Sequence, residues 1–176
     1  MHALMFILNA VISFFSILFL LRFLMQVCRV SFSSQPGDFV VRLTSWAVRP
    51  LRRVIPGMGG FDWASLLPAF GLQLLLGILM LVFSGIAPEE TSSAIPLVLM
   101  MAVRGVLRLT VNIFIGALIL QAVLSWINPR SPLAAPVWQL TRPILEPIRR
   151  VVPSISGIDL SPLVAILLLQ VLLMFL

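Results

Sequence analysis

Four apolar stretches alternate along the chain with two polar segments that carry arginine. The apolar stretches cover about residues 3–27, 64–84, 106–127 and 160–176, and they hold few charges. A helix needs about 20 apolar residues to cross a hydrocarbon core of about 30 Å. The pattern therefore predicts four membrane-spanning helices, of which the last is short.

The two polar segments repeat each other. Residues 44–62 (TSWAVRPLRRVIPGMGGFD) return at 141–159 (TRPILEPIRRVVPSISGID) with an offset of 97 residues and eight identities in nineteen positions. An internal repeat sets the architecture of a chain. Because each copy contains two spans, the second copy enters the membrane in the same sense as the first, and we predict two parallel repeats, 1–88 and 89–176.

Each polar segment predicts a short interfacial helix followed by turns. Residues 39–48 and 133–140 interleave Trp46 and Trp138 with aliphatic residues, a pattern typical of helices at the membrane surface. Prolines follow, two of them four residues apart, so a helix that continues through them is not expected. A proline turn, a glycine turn and an aspartate that caps the next span complete the motif. The positions assigned to this motif are Pro50, Pro56, Gly60, Asp62, Pro147, Pro153, Gly157 and Asp159.

Composition supports a membrane protein. Hydrophobic residues make up 60% of the chain, charged residues 10%, and the mean hydropathy is +1.13. Too few charges remain to cover a soluble fold. We therefore expect an all-α polytopic membrane protein. With Cys28 and His2 as the only residues of their types, we expect no disulfide, no metal site and no cofactor, and no nucleic-acid partner.

The basic residues predict a topology. All twelve are arginine, and ten lie in or beside the two polar segments. The positive-inside rule places these segments, 28–62 and 128–159, in the cytoplasm, with both termini outside a bacterial plasma membrane. Arg104 and Arg108 fit less well. An extra interfacial turn of helix, with both guanidinium groups reaching outer headgroups, would accommodate them.

Paired arginines are the main candidates for binding. They could simply orient the hairpins and attract anionic headgroups. They could equally form a site for phosphate-bearing lipid or an acidic partner surface, because guanidinium groups bind such oxyanions in a bidentate manner. The candidate binding residues are Arg52, Arg53, Arg149, Arg150 and Arg142.

Three further residues have predicted structural roles. Gln73 and Gln170 occupy equivalent positions in the second and fourth spans, where we expect them to fix helix packing by hydrogen bonding. Glu146 should pair with Arg149 or Arg150 if that stretch is helical.

The repeated motif P-x-R-R-x-x-P-x-x-x-G-x-D, present as PLRRVIPGMGGFD and PIRRVVPSISGID, resembles the signature of the YggT family, also called the YlmG family. The resemblance covers essentially the whole chain. The first copy has Trp63-Ala64-Ser65 where the family has a triplet such as L-S-P. The resemblance implies a small plasma membrane protein with no enzyme activity to carry over. It also implies a link to osmotic or potassium-related stress, to cell division and nucleoid or thylakoid organisation, or to assembly of a membrane cytochrome complex.

Three functional hypotheses follow. The first is a non-enzymatic scaffold or assembly factor that docks anionic lipid, other membrane proteins or a second copy of itself. The alternative is a component of an ion (potassium) transport or osmotic-response system, although no acidic residue lies within any span. A lipid-modifying enzyme ranks last, because no acid, base or nucleophile accompanies the arginines.

Overall fold

The computed structural model describes residues 2–55, 57, 61–83, 91–152 and 159–176, which form six helices and no strand. The all-α prediction is confirmed. A long apolar helix, a connecting helix and a second apolar helix follow one another in each half of the chain. The helices are α1 (His2–Val27), α2 (Gln35–Val54), α3 (Trp63–Phe83), α4 (Thr91–Ile127), α5 (Ala134–Arg149) and α6 (Ser161–Phe175).

Three helices are long and apolar enough to cross a membrane. They contain the segments Ala3–Val27, Trp63–Phe83 and Ile95–Ile127, which coincide with three of the four predicted spans. The fourth apolar helix, α6, has 15 residues. At 1.5 Å per residue it is about 22 Å long, so the fourth span stays a prediction.

Helix α4 runs without interruption through Arg104 and Arg108. The sequence predicted an extra interfacial turn of helix at this point. The helix has 37 residues, and its only proline, Pro96, lies near its start. Both arginines therefore belong to the long helix itself. The contact of the two guanidinium groups with outer headgroups stays a prediction.

The connecting helices α2 and α5 also continue through prolines. Pro50 lies inside α2, and Pro143 and Pro147 lie inside α5, so the predicted proline break was wrong. All three prolines lie on exposed positions, where the carbonyl groups that they leave unpaired are open to other partners. Packing of the opposite face supplies most of a helix's stability and offsets the lost hydrogen bonds. Of the remaining motif positions, Pro56, Gly60, Pro153 and Gly157 lie outside the described residues.

The two halves share a hydrophobic core. Leu18 and Met25 of α1 and Val40 of α2 form one buried cluster with Ala117 of α4 and Val137 of α5. Each connecting helix therefore packs against the bundle of apolar helices, with one face buried and the other exposed.

A hydrogen bond inside the bundle joins α1 to α3. The Gln73 side-chain amide donates to Ser16 Oγ at 3.1 Å, and Ser16 in turn donates to the Ile12 carbonyl. Gly105 of α4 lies against the same amide, since a Cβ atom added there would overlap it. Gln170 is exposed on α6 and has no hydrogen-bond partner among the described residues. The two glutamines thus occupy equivalent sequence positions but different environments.

We predict that Gln73→Leu lowers the free energy of unfolding by about 0.6 to 2 kcal/mol, because it removes an interhelical hydrogen bond from an apolar interior. Gln170→Leu is the matched control and should have no destabilising effect. Unfolding in detergent micelles with increasing sodium dodecyl sulfate, followed by tryptophan fluorescence, measures both. Equal losses of unfolding free energy in the two variants would contradict a stabilising hydrogen bond from Gln73 to Ser16.

Candidate functional site

Both connecting helices carry the same stripe of residues at four-residue spacing. In α2 the stripe is Val40, Thr44, Val48 and Arg52; in α5 it is Val137, Thr141, Leu145 and Arg149. The first three positions of each stripe are buried. Because residues four apart lie on one face of a helix, the arginine is carried on the side that faces the bundle.

The ends of α2 are well defined by its sequence. Ser34 is the N-cap, and its hydroxyl accepts a hydrogen bond from the Gly37 amide at 3.3 Å. Asp38 lies in the first turn and Arg52 and Arg53 in the last. This charge order complements the helix dipole and favours a helix that ends at the arginine pair.

A buried threonine anchors the middle of each connecting helix to the preceding apolar helix. In the first half, the Arg22 guanidinium of α1 donates to Thr44 Oγ1 at 2.7 Å. In the second half, the Thr141 hydroxyl contacts the side-chain amide oxygen of Gln121 in α4. Both threonines are fully buried, so each contact is shielded from solvent. The partner of the buried threonine is thus a cation in the first half and a neutral amide in the second.

An ion pair closes the first hairpin between α2 and α3. The Arg52 guanidinium donates from Nε to Asp62 Oδ1 at 3.2 Å and from an Nη atom to Asp62 Oδ2. Ser65 also donates to Asp62 Oδ2, at 2.6 Å. Burial raises the pKa of the Asp62 carboxyl, but the hydrogen bonds from Arg52 and Ser65 outweigh it and hold the pKa below its ordinary value. The Asp62 side chain is only 3% exposed, so this pair is a structural tie.

The second hairpin has the equivalent pair in a more open setting. Arg149 Nε donates to Asp159 Oδ2 at 2.9 Å, and the Ser161 amide donates to Asp159 Oδ1 at 2.9 Å. Partial burial raises the pKa of the Asp159 carboxyl, and the hydrogen bonds from Ser161 and Arg149 outweigh it, so its pKa is also lowered. Asp159 is 41% exposed. Asp159 thus accepts from the backbone amide of the first residue of α6, whereas the Asp62 side chain accepts from a hydroxyl and a guanidinium.

The remaining candidate arginines point away from the bundle. Arg142 donates to Glu146 at 3.1 Å, and its guanidinium carbon lies 5.5 Å from the centre of the Trp138 ring. Glu146 therefore pairs with the residue four positions before it, and the predicted pairing with Arg149 or Arg150 was wrong. Arg53 and Arg150 are exposed and have no ion-pair partner within the described part of the chain.

This geometry divides the five candidate residues into two groups. Arg52 and Arg149 tie the hairpins, while Arg53 and Arg150, one position later, turn to the exposed side. The structure thus holds two unpaired guanidinium groups on anchored helix ends. Such groups bind carboxylate or phosphate oxygens.

The described residues offer little for catalysis. Their His, Cys, Asp and Glu side chains form no group of three or more that could hold a metal ion. Asp62 and Asp159 are held ionised by arginine, and a carboxylate with a lowered pKa is a weak general base.

Sequence reasoning missed Arg22 and Gln121 as anchors. The identical Thr44 and Thr141 were the available signal, because a polar residue at the centre of an apolar stripe needs a partner. The partners themselves do not share the 97-residue offset: Arg22 precedes Thr44 by 22 positions and Gln121 precedes Thr141 by 20.

Known proteins resemble this chain over nearly its full length. A family model described as CCB3/YggT matches residues 1–83 and 100–176. The chain is 35% identical over 172 residues to the uncharacterized protein YggT of Escherichia coli (strain K12), which covers 97% of this chain and 87% of that protein. An uncharacterized protein of Pseudomonas aeruginosa is 38% identical over 170 residues, with 96% and 85% covered. One of Vibrio alginolyticus is 31% identical over 171 residues, with 97% and 91% covered. No solved structure matches the chain.

We predict that Asp62→Asn lowers the free energy of unfolding by about 2 kcal/mol, because it weakens a charge-assisted hydrogen bond at a buried position. Asp38→Asn is the matched control. It removes an exposed pair with Arg42 and should cost less than about 0.5 kcal/mol. Denaturation in micelles measures the free energy of unfolding of both variants. Similar losses of this free energy would show that the Asp62–Arg52 pair does not hold the hairpin together.

The lowered pKa of Asp62 and Asp159 predicts a pH dependence. A carboxyl with a lower pKa in the folded state contributes stability above its ordinary pKa of about 3.9, and this stability is lost as the pH falls through the folded-state pKa. The melting temperature should therefore fall as the pH drops below about 5. The Asp62→Asn/Asp159→Asn variant should melt at a lower temperature at pH 5 and change less with pH. If the melting temperature of the variant changed with pH as much as that of the wild type, neither carboxylate would contribute to the pH dependence of stability.

Proposed function

The chain belongs to the CCB3/YggT family, and on this basis we propose that it is a non-enzymatic membrane protein that serves as a scaffold or assembly factor. Its two arginine-bearing segments would dock anionic lipid or partner proteins. The proposal draws on the unpaired guanidinium groups of Arg53 and Arg150. Its bacterial relatives are described only as uncharacterized, so their names supply no activity to transfer.

The proposal includes a topology. Four spans in two parallel repeats would cross a bacterial plasma membrane, with segments 28–62 and 128–159 in the cytoplasm and both termini outside. Leu160 and Leu176 extend the apolar stretch of α6 to 17 residues, the lower end of the range for a spanning helix. The arginines then lie at the cytoplasmic surface, where anionic headgroups concentrate. The connecting helices α2 and α5 would lie in the interface as amphipathic helices.

The observation that carries the proposal is the contrast between neighbouring arginines. Arg52 and Arg149 hold the ends of α2 and α5 through their aspartates. Arg53 and Arg150 are therefore presented on backbone that is already fixed. A site that is ordered before binding loses less conformational entropy on binding, which favours a docking role over a purely topological one.

The arginines of the outer helix faces add to this surface. Arg142 is held between Glu146 and Trp138, and a guanidinium stacked on an aromatic ring keeps donors available for an incoming oxyanion. Arg52 and Arg149 would add positive charge to the surface without contacting the docked lipid or partner. The docking surface would thus be centred on Arg53 and Arg150.

The alternative, a component of an ion (potassium) transport or osmotic-response system, has less support. A potassium pathway needs oxygen ligands or acidic side chains. No Asp or Glu lies in the described residues of α1, α3, α4 or α6. The ionisable residues there are His2, at the start of α1, and three arginines, which repel potassium. A role in osmotic stress, cell division or biogenesis of a membrane complex would therefore be indirect, through docking.

We predict that Arg53→Gln/Arg150→Gln reduces the amount of anionic phospholipid or partner protein retained after extraction by at least about threefold, because the exposed guanidinium groups supply the attraction. Native mass spectrometry of the protein extracted with its membrane measures the retained species.

Arg29→Gln/Arg130→Gln is the matched control for this experiment. It removes the same net charge from exposed positions at the start of the two polar segments and should leave retention unchanged. If both variants lose retention equally, only net charge matters. If neither variant loses it, the docking proposal fails.

A further inference from the structure

A polar cavity lies among the apolar helices, away from the connecting helices. It lies between α1, α3 and α4 and has a volume of about 420 Å³. Its polar lining comes from three apolar helices, and that lining consists of Asn9, Ser13, Gln73, Arg104, Arg108 and Asn112.

Two polar stripes face this cavity. On α4, Arg104, Arg108 and Asn112 follow one another at four-residue spacing and so share one face of the helix. On α1, the Ser13 hydroxyl donates to Asn9 Oδ1 at 3.1 Å. That bond uses the amide oxygen of Asn9 and leaves its NH₂ group as a donor. The polar part of a largely apolar lining therefore consists of side chains that include free hydrogen-bond donors, foremost the two guanidinium groups.

The cavity is held at a fixed depth. Gln73 lies ten residues after Trp63, the first residue of α3, which is about 15 Å along the helix. In the proposed topology, on which this depth rests, α3 crosses the membrane from its first residue, and Gln73 then lies about half way through a hydrocarbon core of about 30 Å. Gly105, between the two arginines, lies against the Gln73 amide. The backbone that carries Arg104 and Arg108 is therefore level with the middle of α3.

Charge at this depth is unbalanced. Neither Arg104 nor Arg108 has a hydrogen-bond or ion-pair partner among the described residues, and none of the described residues that line the cavity is acidic. Both arginines are exposed at the open side of the cavity. Arginine inside a membrane is costly and is normally paired, so an ionisable residue there indicates a functional site. Two adjacent guanidinium groups with amide donors beside them would be balanced by an anion with several oxygen atoms.

From this arrangement we propose that the cavity between α1, α3 and α4 binds a phosphate group through Arg104 and Arg108. Guanidinium groups present paired N–H donors that match phosphate oxygens. The phosphate belongs either to a phospholipid headgroup or to inorganic phosphate. Apolar residues beside the arginines, such as Leu76, Met80 and Met101, provide a surface for the glycerol and acyl part of a lipid. The site is separate from the docking surface of Arg53 and Arg150 and does not depend on it.

Thermal unfolding of delipidated protein in detergent tests this proposal. The added probes are dioctanoyl phosphatidylglycerol, sodium phosphate and, as a neutral control for both, octyl glucoside. A ligand that binds only the folded state raises the melting temperature. Because the docking surface of Arg53 and Arg150 would also bind an anionic lipid, the comparison is made in Arg53→Gln/Arg150→Gln. We expect phosphatidylglycerol, phosphate or both to raise the melting temperature of this variant by several degrees, but not that of the variant that also carries Arg104→Gln/Arg108→Gln.

The pattern of shifts identifies the source of the phosphate. A shift with phosphatidylglycerol alone assigns the site to a phospholipid headgroup, and a shift with sodium phosphate alone assigns it to the free ion. Shifts with both probes support a site that recognises phosphate in either form. No shift with either probe in Arg53→Gln/Arg150→Gln, or an equal shift after Arg104→Gln/Arg108→Gln is added to it, overturns the proposal.

A second variant keeps the proposal testable if the glutamine variant does not fold. Arg104→Lys/Arg108→Lys preserves both positive charges but loses the paired donors of the guanidinium group. The Kd for the active probe, taken from its concentration dependence, should rise by about tenfold. An unchanged Kd would overturn the assignment of these arginines as the phosphate ligands.

Discussion

A polar group inside this bundle must find its partner within the protein, because lipid offers no hydrogen bonds. This constraint explains the position of the connecting helices. Thr44 and Thr141 are buried at their centres and contact Arg22 and Gln121 of the preceding apolar helices. Each arginine–aspartate pair then fixes the end of the connecting helix to the start of the next apolar helix. Three consecutive helices are thereby joined in each half of the chain.

The two halves differ in how much charge they bury. The first half buries its charges, with Arg22 and Asp62 at 5% and 3% exposure. The second half has Gln121 in place of the buried cation, and its Asp159 is 41% exposed. Arg52 is itself 46% exposed, so only the carboxylate of the first pair is buried. Removing the partner of a buried charge costs more than breaking an exposed pair, so we expect the first hairpin to be more costly to open than the second.

The sequence predicted much of this fold, because a 20-residue apolar run has few alternatives to a helix. The repeat at an offset of 97 residues also identified Arg52 and Asp62, and their equivalents Arg149 and Asp159, as candidate residues. It could not show that these residues bind each other, since they are ten positions apart and meet only when the hairpin closes. Proline rules failed in α5, where packing of the buried face outweighs the lost hydrogen bonds. Hydropathy counts the charges of Arg104 and Arg108 but does not register that both line the cavity between α1, α3 and α4.

The unequal lengths of α4 and α6 have a consequence for the surrounding bilayer. The apolar part of α4, Ile95–Ile127, has 33 residues and is about 50 Å long, whereas α6 is about 22 Å long. In the proposed four-span topology, a bilayer of uniform thickness matches neither length. It would thicken or let α4 tilt on one side of the protein, and thin on the other, and each adjustment has an elastic cost. Hydrophobic mismatch of this kind would couple the protein to the thickness of the membrane around it.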